Sequence, residues 1–383
     1  MTSTAPPIKV THIASGDLWA GAEVQLFTLA KTLHQFENVT VRVILLNHGE
    51  LEKRLHEQGI PVDVLPETEL NGIQIFFRLI KLLRQHQPDV VHTHRIKENI
   101  LGGLSAKLAG NIPSLRTAHG APEHQPGWRK PHKQILYLLD WFVGRFVLSK
   151  IVAVSDDLAE ILKNDFPSEK IIVIENGIDI EELSFYIKHQ NGSKSPSSHI
   201  KIGLVGRLVP VKRVDIFIKT ARYLQEHSPR INAQFYIYGD GPLRPELEKL
   251  SASLNMQDAI HFEGHVREIH AAIAALDILL ITSDHEGLPM TLLEAMALKI
   301  PVISHSVGGI IHVLEKGKYG TLISKQEPGL YAQTISDVLS TPEQTLTKSN
   351  KAKNHIMTHY GNITCGEKYS SVYKRIHSRP ITN

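Results

Sequence analysis

The sequence predicts an α/β protein with two doubly wound, Rossmann-like domains. The chain has 383 residues, enough for two domains of about 150 residues each. Short β-rich segments alternate with longer amphipathic helical patterns, which is typical of parallel sheets covered by helices on both faces. The pattern stops in a polar segment rich in Gly, Ser and Pro, at 188–199, and then restarts.

The predicted elements follow one another in regular order. The strands of the first half are Ile8–Ala14, Thr40–Leu46, Asp89–His94, Lys150–Val154 and Ile171–Glu175, and the helical patterns are Glu23–His34, Glu50–Gln58, Ile73–His86 and Lys133–Val147. The strands of the second half are Ile200–Val205, Ala233–Tyr238, Ile260–Phe262, Ile278–Thr282 and Pro301–Ser304. We expect a first domain at 1–187, a linker at 188–199, a second domain at 200–360 and a C-terminal helix within 361–383 that packs back on the first domain.

The two halves open alike. Ile8–Leu33 and Ile200–Leu224 each read as a strand, a glycine-containing loop and an amphipathic helix. In doubly wound sheets, ligands bind beyond the carboxyl ends of the strands. We therefore expect two facing domains with a deep, ligand-binding cleft between them.

Composition excludes several classes of protein. The formal net charge is only +3, too small to indicate a nucleic-acid-binding protein. The single cysteine, Cys365, excludes intramolecular disulfides, four-thiolate zinc sites and iron–sulfur clusters, and it fits a reducing cytoplasm. Met1–Val10 lacks the apolar stretch of a secretory signal, and no apolar segment reaches the ~18 residues of a membrane span. We expect a cytoplasmic protein.

The first glycine-containing loop holds Gly16, Gly21 and Glu23 just before a helix. Glycine allows backbone N–H groups to approach a phosphate at a helix N-terminus, but a tight strand-to-helix turn explains the same residues. The sequence contains neither GxGxxG nor GxxxxGK[ST]. Their absence disfavours dinucleotide dehydrogenases and P-loop NTPases.

The second loop, VGRLVPVKRVD, places Arg207 and Lys212 before a helix. Two cations and a helix dipole can neutralise a diphosphate leaving group. Charges that merely flank a helix on the surface are the alternative. The position at the carboxyl end of a strand favours the diphosphate.

The segment Ser283–Ala297, SDHEGLPMTLLEAMA, follows an apolar strand. Glu286 lies in the loop, Pro289 opens a helix, and Glu294 follows eight residues after Glu286. Carboxylates accept hydrogen bonds from vicinal hydroxyls, so one glutamate on a sugar and one on a ribose is chemically sensible. Helix capping is the alternative, although Glu294 lies too deep in the helix to cap it.

Together these residues resemble the retaining, nucleotide-sugar-dependent glycosyltransferases of family 4, which have the two-domain GT-B fold. The spacing of Glu286 and Glu294 is the most specific match, and the resemblance covers nearly the whole chain. Supporting motifs are VVHTH (Val90–His94), TAHG (Thr117–Gly120), AVSDDL (Ala153–Leu158), ENGID (Glu175–Asp179) and YGDGP (Tyr238–Pro242). The sequence departs from the family pattern at Ala20 and Arg213, where glycine is common.

The resemblance implies roles for individual residues. Arg207 and Lys212 would bind the donor's diphosphate, Glu294 the ribose and Glu286 the transferred sugar. His119 matches a histidine that lies beside that sugar, so the expected catalytic residues are His119, Glu286, Arg207 and Lys212. The remaining expected donor-binding residues are Gly21, Gly287, Leu288, Pro289, Met290 and Thr291.

No cofactor and no metal are expected. The sequence has no Asp-x-Asp pair of the kind that holds a divalent ion in metal-dependent sugar transferases. His92 and His94 alternate onto one face of a strand, which suggests either a metal site or simply a shared face, and no third ligand is evident.

The resulting prediction is a retaining hexosyltransferase. It would move a sugar from a nucleoside diphosphate sugar, expected to be UDP-linked, to a hydroxyl of a glycan or lipid-linked acceptor in bacterial envelope polysaccharide synthesis. A 2-epimerase of the same fold and a non-catalytic nucleotide-sugar-binding protein are the alternatives. Retention of both cations and both glutamates disfavours the second of these.

The helix at Ile73–His86 carries Arg78, Lys81 and Arg84 opposite its apolar residues. Such a helix either lies on an anionic membrane, here the cytoplasmic face of the inner membrane, or is an ordinary solvated helix. The basic loop Gly127–Lys133 would strengthen the membrane contact. The apolar segment Gln134–Leu148 is expected to be core.

Overall fold

The computed structural model describes residues 6–120, 131–190 and 199–378. The chain divides into two compact units. The first runs to Gly177 and takes the chain up again at Asn362, and the second is Ile178–Gly361. The basic residues Arg129 and Lys130, like residues 191–198 of the expected linker, lie outside the described ranges.

The first unit is built on a seven-stranded parallel sheet. Its strands are β1 (Ile8–Ala14), β2 (Val39–Leu45), β3 (Val62–Val64), β4 (Val90–Thr93), β5 (Ser114–Ala118), β6 (Lys150–Ala153) and β7 (Ile171–Val173), in the order β3-β2-β1-β4-β5-β6-β7. The helices between them are α1 (Gly21–His34), α2 (Glu50–Glu57), α3 (Gly72–His86), α4 (Ile96–Gly110), α5 (Pro131–Phe142) and α6 (Asp156–Leu162). A π-helical turn at Val143–Val147 continues α5.

The second unit has a six-stranded parallel sheet. Its strands are β8 (Ile200–Val205), β9 (Ala233–Tyr238), β10 (Ile260–Gly264), β11 (Ile278–Ile281), β12 (Val302–His305) and β13 (Thr321–Ile323), in the order β10-β9-β8-β11-β12-β13. Its helices are α7 (Ile180–Gln190), α8 (Val214–His227), α9 (Arg244–Ser253), α10 (Ile269–Ala274), α11 (Met290–Ala297), α12 (Ile310–Val313), α13 (Pro328–Ser340) and α14 (Pro342–His359).

The division between the units falls ten residues before the expected boundary at 187–188. The reason is α7, which packs on α10 in the second unit. The Tyr186 hydroxyl donates a hydrogen bond to the Glu268 carboxylate at 2.8 Å. The chain re-enters the first unit through the C-terminal helix α15 (Asn362–His377), which packs on α1 and buries Tyr369 and Tyr373.

The predicted strands are present with ends that differ by one or two residues, as expected for parallel strands rich in Val, Ile and Leu. Three strands were not among those predicted: the short edge strands β3 and β13, and the interior strand β5. Apolar side chains on both faces of the sheets form the cores, for example Val41, Val43 and Leu45 below α1.

The strand order reverses at one point in each sheet. In the first unit this switch point lies between β1 and β4, and in the second between β8 and β11. The loops that follow these strands separate there and leave room for a ligand at the carboxyl edge. The functional residues predicted from sequence concentrate in these loops.

The expectation that Gln134–Leu148 is core is wrong for much of its length. Six large apolar side chains are exposed, with Leu138 at 61% and Phe146 at 60% the most open; the others are Ile135, Leu136, Leu139 and Phe142. Only one face of α5 contacts the rest of the unit, where Asp140 accepts hydrogen bonds from Asn99 and Arg116. No helix within the described ranges is both long enough and apolar enough to cross a bilayer.

Candidate functional site

An ion pair joins the two loops at the switch point of the second unit. Lys212 Nζ donates to Glu286 Oε1 at 2.6 Å, and the Ser283 hydroxyl donates to the same oxygen at 2.6 Å. The Glu286 side chain is only 10% exposed and that of Lys212 24%. The structure therefore brings together two of the residues predicted for the site, and each satisfies the other's charge.

Backbone contacts hold the two loops in register. The Thr282 hydroxyl donates to the Lys212 carbonyl at 2.9 Å, and Asp284 N donates to the Val211 carbonyl at 2.8 Å. Gly308, with φ +49°, lies so close behind Glu286 that a Cβ atom would sit 1.8 Å from the Glu286 carbonyl oxygen. Any larger residue at Gly308 would displace this loop, a constraint that sequence spacing did not reveal.

The two departures from the family pattern differ in their consequences. Arg213 adopts the left-handed conformation, with φ 47° and ψ 47°, which favours glycine and costs a non-glycine residue about 1 kcal/mol. Its guanidinium is held by Asp215, Asp284 and Gln326, which offsets that cost. Ala20 has an extended backbone, with φ −138°, so glycine is not needed there.

Arg207 and the start of α11 leave polar groups open at the same edge. Arg207 is exposed and follows β8 after one residue, Gly206. Pro289 is the N-cap of α11 rather than its first residue, and no side chain in the described part of the chain caps the helix. The first-turn amides at Met290 and Thr291 are thus available to an anion, as helix N-termini generally are.

Glu294 is buried and paired with a histidine that sequence reasoning missed. His270 Nε2 lies 3.4 Å from Glu294 Oε1, and His270 Nδ1 lies 3.1 Å from Glu182 Oε1. Burial alone would lower the pKa of His270, but hydrogen bonds to Glu182 and Glu294 outweigh it and raise the pKa to about 10. His270 is therefore an imidazolium at neutral pH. The contact joins α7, α10 and α11, so no local spacing could have indicated it.

At the switch point of the first unit, four histidines meet. His12 on β1 and His92 on β4 are neighbours across the sheet, and His94 and His119 follow β4 and β5. His12 Nδ1 lies 3.0 Å from His94 Nε2, and His94 Nδ1 lies 3.4 Å from His119 Nε2. Burial lowers the pKa of His12 and of His119 to about 3, and that of the other two well below its ordinary value.

His12 supplies the third potential metal ligand that the sequence did not reveal. In the described part of the chain, ligand nitrogens of His12, His92 and His94 lie within 4.8 Å of one another. However, His92 already uses both ring nitrogens, with Tyr373 Oη and Thr117 Oγ1 each at 2.8 Å. Hydrogen bonds thus occupy both nitrogens of His92, and the expectation of a metal-free site stays a prediction.

The remaining predicted residue of the first unit is Gly21, which begins α1. It is exposed, and a Cβ atom there would meet nothing within 4 Å, so packing does not require glycine. Two residues further on, the buried carboxylate of Glu23 pairs with Arg95. Burial raises the pKa of Glu23, and Arg95 partly offsets that effect.

Two doubly wound sheets, with cations, carboxylates and free helix amides at the switch point of the second, define an α/β enzyme of the GT-B type. Comparison with known families agrees. Glycosyltransferase Family 4 matches residues 19–182, and Glycosyl transferases group 1 matches residues 199–341. The chain belongs to glycosyltransferase family 4 and is a glycosyltransferase.

Curated relatives match over most of their length. The UDP-Gal:alpha-D-GlcNAc-diphosphoundecaprenol alpha-1,3-galactosyltransferase of Escherichia coli is 26% identical, with 97% of this chain and 98% of that protein covered. The putative glycosyltransferase EpsF of Bacillus subtilis is 27% identical, with 86% and 87% covered.

Solved structures share the fold. Anabaena HepE, crystallised in complex with UDP-glucose, superimposes with a TM-score of 0.81 at 20% identity, covering 96% of this chain and 100% of that one. This likeness confirms the predicted GT-B architecture.

Proposed function

We propose that the enzyme transfers a sugar, with retention of anomeric configuration, from a UDP-sugar to a hydroxyl of a glycan or lipid-linked acceptor in bacterial envelope polysaccharide synthesis. The observation that carries the proposal is the cluster of Lys212, Glu286 and Ser283 at the switch point of the second sheet. Exposed Arg207 and the uncapped first turn of α11 complete its phosphate-binding chemistry.

The cations stabilise the diphosphate leaving group. As the bond to the sugar breaks, negative charge grows on the diphosphate, and Lys212, Arg207 and the α11 amides stabilise it. Glu286 holds Lys212 beforehand, so the ammonium is already positioned when the donor binds. Backbone N–H groups of Gly287, Leu288, Met290 and Thr291 hold the phosphates and the sugar, while Pro289, which has no N–H, shapes the loop.

The carboxylates bind hydroxyls. Glu294 accepts hydrogen bonds from the ribose diol, while Glu286 accepts them from the transferred sugar. The acceptor hydroxyl attacks from the face that the leaving group vacates and passes its proton to the departing diphosphate, which preserves the anomeric configuration. His119 contributes a hydrogen bond to the transferred sugar.

A UDP-linked donor is supported by the relatives. The E. coli relative is named for UDP-Gal, and HepE was crystallised with UDP-glucose. Thermal unfolding of this protein should be recorded with UDP-, GDP- and ADP-sugars. At 100 times its Kd, the correct donor stabilises the protein by about 2.7 kcal/mol.

Transfer is then tested with the selected donor. Incubation with lipid-linked and soluble glycan acceptors should give a product whose anomeric configuration, determined by NMR, is that of the donor. Isomerisation of the donor without any acceptor would instead identify an epimerase. Binding without turnover of any acceptor would indicate a nucleotide-sugar-binding protein.

We further propose peripheral attachment to an anionic membrane through the first unit, at the cytoplasmic face of the inner membrane. Arg78, Lys81 and Arg84 are exposed on α3, and Ile73 and Phe77 are exposed on the same helix, at 71% and 64%. The six exposed apolar residues of α5 and its π-helical turn add a patch of the kind found at interaction sites. The apolar residues of α3 opposite its basic residues are buried in the unit, so the membrane contact would be made by the basic face together with the exposed apolar side chains.

Co-sedimentation with vesicles tests the attachment. Wild-type protein should bind anionic vesicles at low salt, bind neutral ones less, and dissociate near 1 M salt, where the Debye length falls to about 3 Å. Changing Arg78, Lys81 and Arg84 to Gln should abolish binding. The matched control changes Arg230, Lys249 and Lys351, exposed residues of the second unit, to Gln. Equal loss in both triple variants, or equal binding to both vesicle types, would contradict the proposal.

A further inference from the structure

Three imidazoles form a hydrogen-bonded chain from the core of the first unit to its carboxyl edge. His12 is fully buried, His94 is 4% exposed, and His119 is half-buried at the end of β5. The contacts are His12 Nδ1 to His94 Nε2, at 3.0 Å, and His94 Nδ1 to His119 Nε2, at 3.4 Å. Each ring thus uses one nitrogen toward each neighbour.

The three hydrogen-bonded histidines allow only two arrangements of their N–H groups. All three rings are neutral, because burial lowers the pKa of His12 and His119 to about 3 and that of His94 well below its ordinary value. A neutral imidazole carries one N–H and one bare nitrogen. Each contact needs one donor and one acceptor, so the N–H groups either all point inward along the chain or all point outward.

The inner end of the chain decides between the two arrangements. His12 Nε2 is buried and, among the described residues, has no hydrogen-bond partner. With inward N–H groups, that atom would be a buried donor without an acceptor. With outward N–H groups, it is a bare nitrogen. Unpaired buried N–H groups are rarer in proteins than under-used acceptors, so the outward arrangement is favoured.

We propose that this histidine chain holds His119 as the tautomer protonated at Nδ1, with His94 as the positioning residue that donates to His119 Nε2. His119 then offers an N–H to an oxygen acceptor of the bound ligand, a hydroxyl or ring oxygen of the transferred sugar, and it neither takes nor gives a proton. The identity of that ligand rests on the proposed function. The tautomer itself does not.

The surroundings of His119 are consistent with a neutral ring. Among the described residues, Arg95 is the charged group that acts on it, and its positive charge opposes protonation. Arg95 is itself paired with Glu23.

The same cluster provides a matched control. His92 lies beside the chain but bonds to Tyr373 and Thr117 instead. Tyr373→Phe therefore perturbs the histidine cluster and its packing but leaves the His12–His94 and His94–His119 hydrogen bonds intact.

Kinetic measurements distinguish a positioning role of His94 from a purely structural one. His94→Leu removes the donor to His119 and should lower kcat at least tenfold, with the nucleotide Kd changed less than twofold. His94→Asn keeps an N–H near the position of Nδ1 and should restore kcat to within about threefold of wild type. Tyr373→Phe should lower the melting temperature but leave kcat within twofold. A folded His94→Leu variant with wild-type kcat, or equal losses in the Leu and Asn variants, would overturn the proposal.

Tautomer measurement tests the chain independently of activity. In protein labelled with ¹⁵N-histidine, the His119 signals are assigned by their loss in His119→Ala, and long-range ¹H–¹⁵N correlations report which nitrogen carries the proton. We expect Nδ1 protonated in wild type and a mixture of tautomers in His94→Leu. Protonation at Nε2, or one tightly bound metal ion per chain by elemental analysis, would disprove the arrangement. If Nδ1 is protonated in the wild-type protein but His119→Ala has a normal kcat, only the proposed role of His119 in transfer is refuted.

Discussion

Histidines of the two units have opposite charge states. In the first unit, His12, His92, His94 and His119 are neutral, because burial lowers each pKa and the hydrogen-bond partners are neutral rings and hydroxyls. In the second, His270 faces two carboxylates, and its pKa rises to about 10.

The difference teaches that burial alone does not set the charge of a histidine. Desolvation lowers the pKa in both places, but only Glu182 and Glu294 supply enough favourable interaction to reverse it. The first switch point is therefore suited to donating neutral hydrogen bonds. The second, with Lys212 and Glu286, is suited to binding a charged ligand.

The largest expected effect is acid destabilisation of the first unit. The four clustered histidines, His12, His92, His94 and His119, have folded pKa values below the unfolded value near 6.5, so the unfolded chain binds more protons as pH falls. Their contribution is fully present above pH 6.5 and is lost as pH falls toward 3, by several kcal/mol in the free energy of unfolding. Hydrogen exchange of peptides from β1, β4 and β5 at pH 7 and pH 4.5 measures this. Protection that does not change would contradict the neutral assignment.

The second unit should show the opposite dependence. The folded pKa of His270 lies above the unfolded value, so its contribution is full below pH 6.5 and is lost as pH rises toward 10. Hydrogen exchange in α10 and α11 should therefore accelerate between pH 7 and 10, after correction for the intrinsic rate. His270→Gln should remove this dependence, while His227→Gln, at the exposed end of α8, should retain it. The same pH dependence of hydrogen exchange in both variants would contradict the protonated state of His270.

Removing the cation from the second switch point should strongly reduce turnover. Lys212→Ala leaves Glu286 without its ion-pair partner and the diphosphate without an ammonium, and we expect kcat to fall about 100-fold. Release of the nucleoside diphosphate reports the rate. Lys219→Ala, which breaks an exposed pair with Asp215, is the control and should change kcat less than twofold. Comparable losses in the two variants would argue against a site at Lys212.

Substitution of Glu286 and of Glu294 should have different effects, one on turnover and the other on nucleotide binding. Gln in place of either keeps the shape but weakens hydrogen bonds worth about 1.5 to 3 kcal/mol. Glu294→Gln should mainly raise the nucleotide Kd, and Glu286→Gln should mainly lower kcat. Titration calorimetry with UDP and steady-state kinetics distinguish these outcomes. A near-normal nucleotide Kd and kcat in both variants would contradict the assignment of Glu286 and Glu294 to the donor site.

The smallest expected effect is that of a chelator. The leaving diphosphate is neutralised by Arg207 and Lys212, and hydrogen bonds already occupy both nitrogens of His92. Excess EDTA should therefore leave the transfer rate within about twofold. A complete loss that Mg²⁺ or Mn²⁺ restores would place a metal at one of the two switch points.

Much of the molecule follows from local patterns. Apolar strands, amphipathic helices and the spacing of Glu286 and Glu294 depend on residues close together in the chain, so two doubly wound domains and the loops with Lys212 and Glu286 could be predicted. The GT-B fold was implied by the resemblance to family 4. The exposure of α5 could not, because an apolar sequence indicates the face available for packing but not whether anything covers it.

The sequence by itself determined the alternation of strands and helices, the two Gly-containing loops and the candidate ionic residues, since each is a property of a short segment. Only the tertiary structure decided which distant side chains meet. It joined His270 with Glu182 and Glu294, added His12 to the histidines after β4 and β5, and set Gly308 behind Glu286. The charge of a buried group depends on such partners, so the protonation of these histidines became predictable only once each unit had brought its own distant side chains into contact.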